Sequence, residues 1–262
     1  MRTEPWKISV RRGRKTEETV TAGGTHKGEG RLSGGVVLQE ESEPAGGISR
    51  QETTILRTEG WPAEERADLR KRHRALRAAM TQPEVEKKSR AICQRLLRAD
   101  WYPSCRIIYG YYPLGKEADC RAFLVQALAD GRRVALPRMR DGARMDFYEI
   151  TSLKQVAEGT FHVMEPLPDC EMVQVADAVV LVPGVVFDHN GGRYGYGKGC
   201  YDRYFARFPG LTRVGIAYEN QIEPYLTQTA TDVRMHTIVT EARNRCGQGD
   251  SRSGNGNRPD ES

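Results

Sequence analysis

The chain has no Cys-x-x-Cys pair and no cluster of cysteine and histidine at zinc-ligand spacing; its six cysteines stand apart at 93, 105, 120, 170, 200 and 246. That scatter excludes a zinc ribbon and points to reduced thiols. Long apolar runs are missing as well. The longest, such as Ala178 to Pro183, fall far short of the ~20 residues that span a bilayer. Met1 to Val10 and the Arg11-Arg12-Gly13-Arg14-Lys15 run lack the apolar stretch of a secretory leader. A cytoplasmic protein with no membrane partner is expected. Strong charge of one sign is absent too: 40 basic residues face 35 acidic ones, a net +5 with a pI near 8.9. Such a balance suits an enzyme with anionic ligands and gives little support to a nucleic-acid partner, the more so because neither terminal segment interleaves aromatics with basic residues.

Hydrophobic residues make up 38% of the chain, enough for a core but low for a uniformly compact 262 residues. Some of the chain is therefore expected outside that core. Residues 1–60 hold ten glycines, ten basic and nine acidic residues with no sustained apolar period, so they read as a disordered extension. Residues 243–262 read as a similar tail, leaving 61–242 as the folded domain.

Within that domain, Pro62, Glu64 and Glu65 open a helix whose apolar face is expected at Leu69, His73, Leu76 and Met80. Thr81 with Glu84 makes a capping-box pattern for a second helix toward Leu97. Strand patterns follow at 107–111, 134–137, 145–150, 178–182, 214–217 and 237–240, the last strand of the domain. Helical segments are expected at 122–129 and from near Tyr201 and Gln221. This alternation predicts an α/β fold: a three-layer, mostly parallel, Rossmann-like sheet with helices on both faces. Ligands of such sheets bind beyond the carboxyl ends of the strands.

The most informative segment runs Gly192-Arg193-Tyr194-Gly195-Tyr196-Gly197-Lys198-Gly199-Cys200-Tyr201-Asp202-Arg203. Glycines at 195, 197 and 199 let backbone N–H groups approach a phosphate, the following helix adds its positive end, and Lys198 and Arg193 add full charges. The loop reads as an anion cradle; taken alone, an exposed glycine-rich hairpin is the alternative. Gly199 stands where a P-loop carries its Ser or Thr, which argues against a Walker ATPase, and the GxGxxG dinucleotide spacing is absent.

The order PGxxFDxxGxRxGxGxGxYDR over 183–203, followed by Arg213-Val214-Gly215-Ile216-Ala217-Tyr218, Gln221, Asp232 and Ile238-Val239-Thr240-Glu241, resembles the 5-formyltetrahydrofolate cyclo-ligase family. Leu69-Arg70, Tyr112-Pro113, Glu117-Ala118-Asp119, Ala135-Leu136-Pro137-Arg138, Met145-Asp146-Phe147 and Glu165-Pro166 fall in that family's order, so the resemblance covers roughly 62–241. A monomer is expected. The resemblance implies an enzyme acting on a reduced folate: ATP phosphorylates the formyl oxygen on N5, N10 attacks the activated carbon, and phosphate leaves as 5,10-methenyltetrahydrofolate forms. The resemblance places Arg66, Arg70 and Arg193 to Tyr201 (Tyr194, Gly195, Tyr196, Gly197, Lys198, Gly199 and Cys200 between them) around ATP, with Lys198 and Arg193 catalytic. It places Tyr112, Glu117, Tyr196 and Cys200 against the folate, and Asp202 and Asp232 on a Mg2+ ion. From local sequence alone, Glu117 reads equally as a residue at a helix start, whereas Asp202 reads more readily as one, and Arg66 and Arg70 more readily as part of a solvated basic face.

Four positions depart from the family pattern. Arg66 replaces lysine, Cys200 the first tyrosine of GYYD, Cys120 a threonine, and His236 an acidic residue. The alternative reading is a paralogue that keeps folate or nucleotide binding and has lost turnover.

Overall fold

The computed structural model of the protein describes residues 36–38, 55–57, 62–140, 144–159 and 162–247. The chain divides into two units, Met1–Gly60 and Trp61–Ser262. In the first, β1 (Val36–Leu38) pairs antiparallel with β2 (Ile55–Arg57). The expected disordered extension therefore carries one short ladder, formed where the segment is locally rich in β-branched and leucine residues. The rest of 1–60 lies outside the described residues.

The second unit opens with α1 (Ala63–Ala79), N-capped by Pro62 and acidic in its first turn. Its buried residues are Leu69, His73 and Arg77, with Met80 following, whereas Leu76 is 46% exposed. The expected apolar face is thus corrected at Leu76: polar contacts made by Arg77 rotate that residue inward in its place. Both bonds of the capping box start α2 (Gln82–Leu97): the Glu84 N–H donates to Thr81 Oγ1 at 3.4 Å and the Thr81 N–H to Glu84 Oε2 at 2.7 Å.

Next come β3 (Ile107–Tyr109), α3 (Arg121–Ala129), β4 (Arg133–Met139) and β5 (Met145–Ile150), then the small hairpin of β6 (Val156–Glu158) and β7 (Met164–Pro166). The chain goes on through β8 (Val179–Pro183), β9 (Val186–Asp188), β10 (Arg193–Tyr194), α4 (Cys200–Arg207) and β11 (Thr212–Ile216). It closes with β12 (Ile222–Glu223), β13 (Thr237–Val239) and β14 (Asn244–Cys246). The main sheet has the order β14-β13-β11-β8-β3-β4-β5. Its five central strands are parallel and both edges antiparallel.

Two expectations change here. The segment near Gln221 is a single 3-10 turn, Glu219–Gln221, held by the Gln221 side chain accepting the Tyr218 N–H. The last strand is β14, inside the expected tail 243–262. It is held by its ladder with β13 and by Arg245, whose guanidinium reaches Glu219 at 2.5 and 3.0 Å.

Alternation along the strands sorts the core into two layers, as a sheet covered on both faces requires. Ile108, Val179, Leu181 and Val214 point to one cluster with Ile92, Leu96, Phe123 and Leu124 of α2 and α3. Ile107, Tyr109, Val180 and Val182 point to the other with Tyr204 and Phe205 of α4. The three-layer, mostly parallel α/β fold expected from the sequence is therefore the observed one. Successive strands extend the sheet one way from β3 to β4 and the other way through β8 and β11. The crevice beyond the carboxyl ends of β3 and β8 is thus the topological switch point, where such folds bind ligands.

Candidate active site

A second sheet, β10-β9-β12, carries the glycine loop. Asp188, fully buried at the end of β9, accepts the N–H groups of Asn190, Gly192 and Leu226 at 2.9, 2.6 and 2.8 Å, fixing the turn that returns the chain as β10. Leu69 of α1 packs with Val185, Val186, Tyr194 and Leu226 and seats the helix on this platform. Beyond β10 the loop passes Gly197 at φ +97° and Gly199 at φ +61°, a left-handed conformation that residues with a Cβ adopt only under strain. Gly199 then caps α4.

A cavity of about 570 Å³ opens between the loop and the carboxyl ends of the parallel strands. Every expected site residue lines it: Arg66, Arg70, Tyr112, Glu117, all of Arg193 to Tyr201, Asp202 and Asp232. Five cationic side chains and four carboxylates share the wall, Arg203 and Glu165 being the ones not anticipated. Leu114, Pro137, Met139, Met145 and Val163 supply an apolar part suited to a flat ring system.

Four of the charged groups are held in two pairs. Arg66 Nη2 donates to Asp232 Oδ2 at 3.1 Å, and Arg193 Nη2 to Asp202 Oδ2 at 3.1 Å. Asp202 Oδ1 accepts the Val233 N–H at 3.2 Å, so the two aspartates belong to one polar assembly. Arg70 Nε donates to Gly195 O at 2.9 Å, and the Arg66 and Arg70 guanidiniums lie 4.7 and 5.2 Å from the Tyr194 ring centroid. Burial, together with neighbouring Arg66, pulls the Arg70 pKa below its ordinary value. Such an array attracts an anion that relieves the crowding of positive charge. Arg66 Nε and Arg193 Nε are buried with no hydrogen-bond partner among the described residues.

Glu117 is 5% exposed; burial raises its carboxyl pKa, against the pull of Arg77. Its Oε2 accepts the Leu114 N–H at 3.0 Å and its Oε1 the Tyr196 hydroxyl at 2.8 Å. Burial, reinforced by Glu117, pushes the Tyr196 hydroxyl up to about 12. Tyr112 takes a hydrogen bond from Arg121 at 3.0 Å.

The sequence profile of the 5-formyltetrahydrofolate cyclo-ligase family matches residues 62–241. The chain belongs to this family. Caenorhabditis elegans has a relative named "Probable 5-formyltetrahydrofolate cyclo-ligase" that is 23% identical over 192 residues, covering 68% of this chain and 93% of the relative. The Saccharomyces cerevisiae 5-formyltetrahydrofolate cyclo-ligase is 32% identical over 144 residues, covering 46% of this chain and 65% of its own. Among solved structures, Aquifex aeolicus 5,10-methenyltetrahydrofolate synthetase superposes with a TM-score of 0.63 at 30% identity, covering 72% of this chain and 95% of the other.

Three of the four departures from the cyclo-ligase pattern fall outside the cavity wall or keep its charge. Arg66 keeps the charge and adds a planar fork that meets Asp232. Cys120 is fully buried and N-caps α3, its Sγ 3.9 Å from the Tyr111 hydroxyl. His236 accepts the Arg213 backbone N–H at 2.9 Å, away from the cavity. Cys200 also lines the wall and, unlike Arg66, changes the chemical character of the side chain there. Sequence reasoning missed Thr229 and Thr231, whose turn presents Asp232, and Arg77, although Arg77 falls seven residues after Arg70 on the same helical stripe.

Proposed function

We propose that this chain converts 5-formyltetrahydrofolate to 5,10-methenyltetrahydrofolate with ATP, releasing ADP and phosphate. Family membership supports the ligase class. The observation that carries the reading is the single cavity that joins a glycine loop and its cations to an apolar wall and a buried acceptor. The loop amides from Gly195 to Gly199 and the start of α4 cradle the phosphates. Lys198 and Arg193 stabilise the charge that spreads over the phosphoryl group as it moves to the formyl oxygen. Glu117 and Tyr112 hold the folate so that N10 reaches the activated carbon; the N10–carbon bond forms, the carbon–oxygen bond to phosphate breaks, and the N10 proton leaves with the phosphate. Cys200 takes the place of an aromatic contact to the folate, and a binding-only paralogue is the reading this one substitution favours.

The donor set also fits a magnesium ion. Asp202 and Asp232 are hard oxygen donors in one polar assembly, and magnesium commonly takes one or two carboxylates and completes its shell with phosphate oxygens and water. When bound it would neutralise charge on the nucleotide's phosphates, while Arg66 and Arg193, now paired with those aspartates, would be released toward the phosphates. No described helix is long and apolar enough to cross a membrane. The chain is proposed to act in the cytoplasm as a monomer. An ATP- and magnesium-dependent rise of methenyl absorbance with 5-formyltetrahydrofolate tests the reading; binding of both ligands without product would favour the paralogue instead.

A further inference from the structure

Arg77 lies beneath the cavity and is not part of its wall. Its side chain is 9% exposed and works in two directions: Nη1 donates to Gly184 O at 3.2 Å, just past β8, and Nη2 to the Tyr196 hydroxyl at 2.5 Å. That hydroxyl donates onward to Glu117 Oε1, which is itself 3.7 Å from Arg77 Nη1. Gly184 O also accepts from Gln221 Nε2 at 2.9 Å. One guanidinium thus gathers α1, the end of β8, the glycine loop and the segment after β3.

The consequence for the loop is specific. Tyr196 is 44% exposed as a residue, yet its hydroxyl is pinned at the buried end, between two glycines that leave the backbone free to move. Pinning the middle of such a loop removes conformational entropy before a ligand arrives. Neither a buried guanidinium nor a buried carboxylate is tolerated well without the other beside it.

We propose that Arg77 is a positioning residue for phosphoryl transfer: through the Tyr196 hydroxyl it holds the glycine loop in register with Glu117, so that the nucleotide and folate ends of the cavity are aligned before the substrates meet. This rests on the ligase reading above. A misplacement of about 1 Å can cost on the order of 10²-fold in rate.

The test uses the full chain with Arg77→Gln, Tyr196→Phe, the double variant and Arg77→Lys, read by kcat at saturating substrates and by amide hydrogen exchange of residues 193–199 without ligand. Each of the first two is expected to lower kcat about tenfold or more. The double variant should fall within about twofold of the worse single, because both break one path. Arg77→Lys keeps the charge but cannot reach Gly184 O and Tyr196 together, so it should stay within about threefold of Arg77→Gln. Loop exchange should speed several-fold in the single variants while β8 and β11 stay protected. Additive losses, full rescue by lysine, or unchanged loop exchange would overturn the proposal. Should Arg77→Gln fail to fold, Tyr196→Phe decides alone, since it cuts the same path at the loop; unchanged loop exchange then overturns it. An inactive parent would refute the ligase reading, while the exchange measurement would still decide whether Arg77 orders the loop.

Discussion

Arg66 and Asp232, 166 positions apart, meet at 3.1 Å and tie the first helix to the loop that follows the glycine platform. Both side chains are largely enclosed, 18% and 15% exposed, so the pair is better shielded than a surface ion pair. With Arg66 also over the Tyr194 ring, its charge is held at the cavity wall from two sides.

Arg66→Met should raise the KM for ATP about tenfold, the scale of one charged hydrogen bond, with a smaller effect on the KM for the folate. Arg66→Lys should recover most of the loss, because lysine restores the charge. Equal rises in both Michaelis constants would mean that Arg66 serves only to hold α1.

Lys198→Ala should lower kcat by roughly 10²-fold, as when one preorganised donor to a developing charge is lost. Lys198 sits on an exposed stretch of the loop, so the melting temperature should hardly move. A variant turning over at the parental rate would remove Lys198 from the phosphate cradle.

If Glu117 binds the folate as proposed, the reaction should show an acidic limb. The Glu117 carboxyl pKa is raised above the ordinary 4.5 by burial, and the ionised form is the one that accepts the Tyr196 hydrogen bond and would accept one from a folate. The kcat/KM for the folate should therefore fall as pH drops, with a midpoint above 4.5, after subtraction of the reaction without enzyme. Glu117→Gln should lower the plateau and abolish that limb; a limb that persists belongs to another group.

Glu219 is expected to contribute to acid stability at the far edge of the sheet. Hydrogen bonding from Arg245, then from Thr240, brings its carboxyl down to about 2 from an ordinary 4.5. A depressed carboxyl stabilises the fold above its unfolded value and loses that contribution as pH falls from about 4.5 to about 2. Urea midpoints of Glu219→Gln should therefore lie below the parent's near pH 6 and converge with them near pH 2.

The parts of this fold legible in the sequence are those governed by neighbours in the chain. Thr81 and Glu84 announce their helix because both capping bonds lie within four residues, and the glycine loop announces its chemistry because the backbone freedom and the charge are contiguous. Arg77 was missed because its partners lie 107 and 119 positions away, at Gly184 and Tyr196, so no local pattern marks it as buried. Leu76 was misplaced for the same reason. The strand Asn244–Cys246 has little β propensity of its own and forms through β13 and Glu219, contacts that exist only after folding.

The pairing of β3 with β8 sets when the site can appear during folding. The two strands join segments about seventy positions apart, Ile108 beside Val179 and Tyr109 beside Val180, and the crevice between their ends is absent until they meet. Closing so long a stretch is slow compared with forming the helices on either side. Nucleotide affinity should thus return late in refolding, well after the helical circular dichroism signal, which makes ligand capture a natural clock for the final long-range step of this chain's assembly.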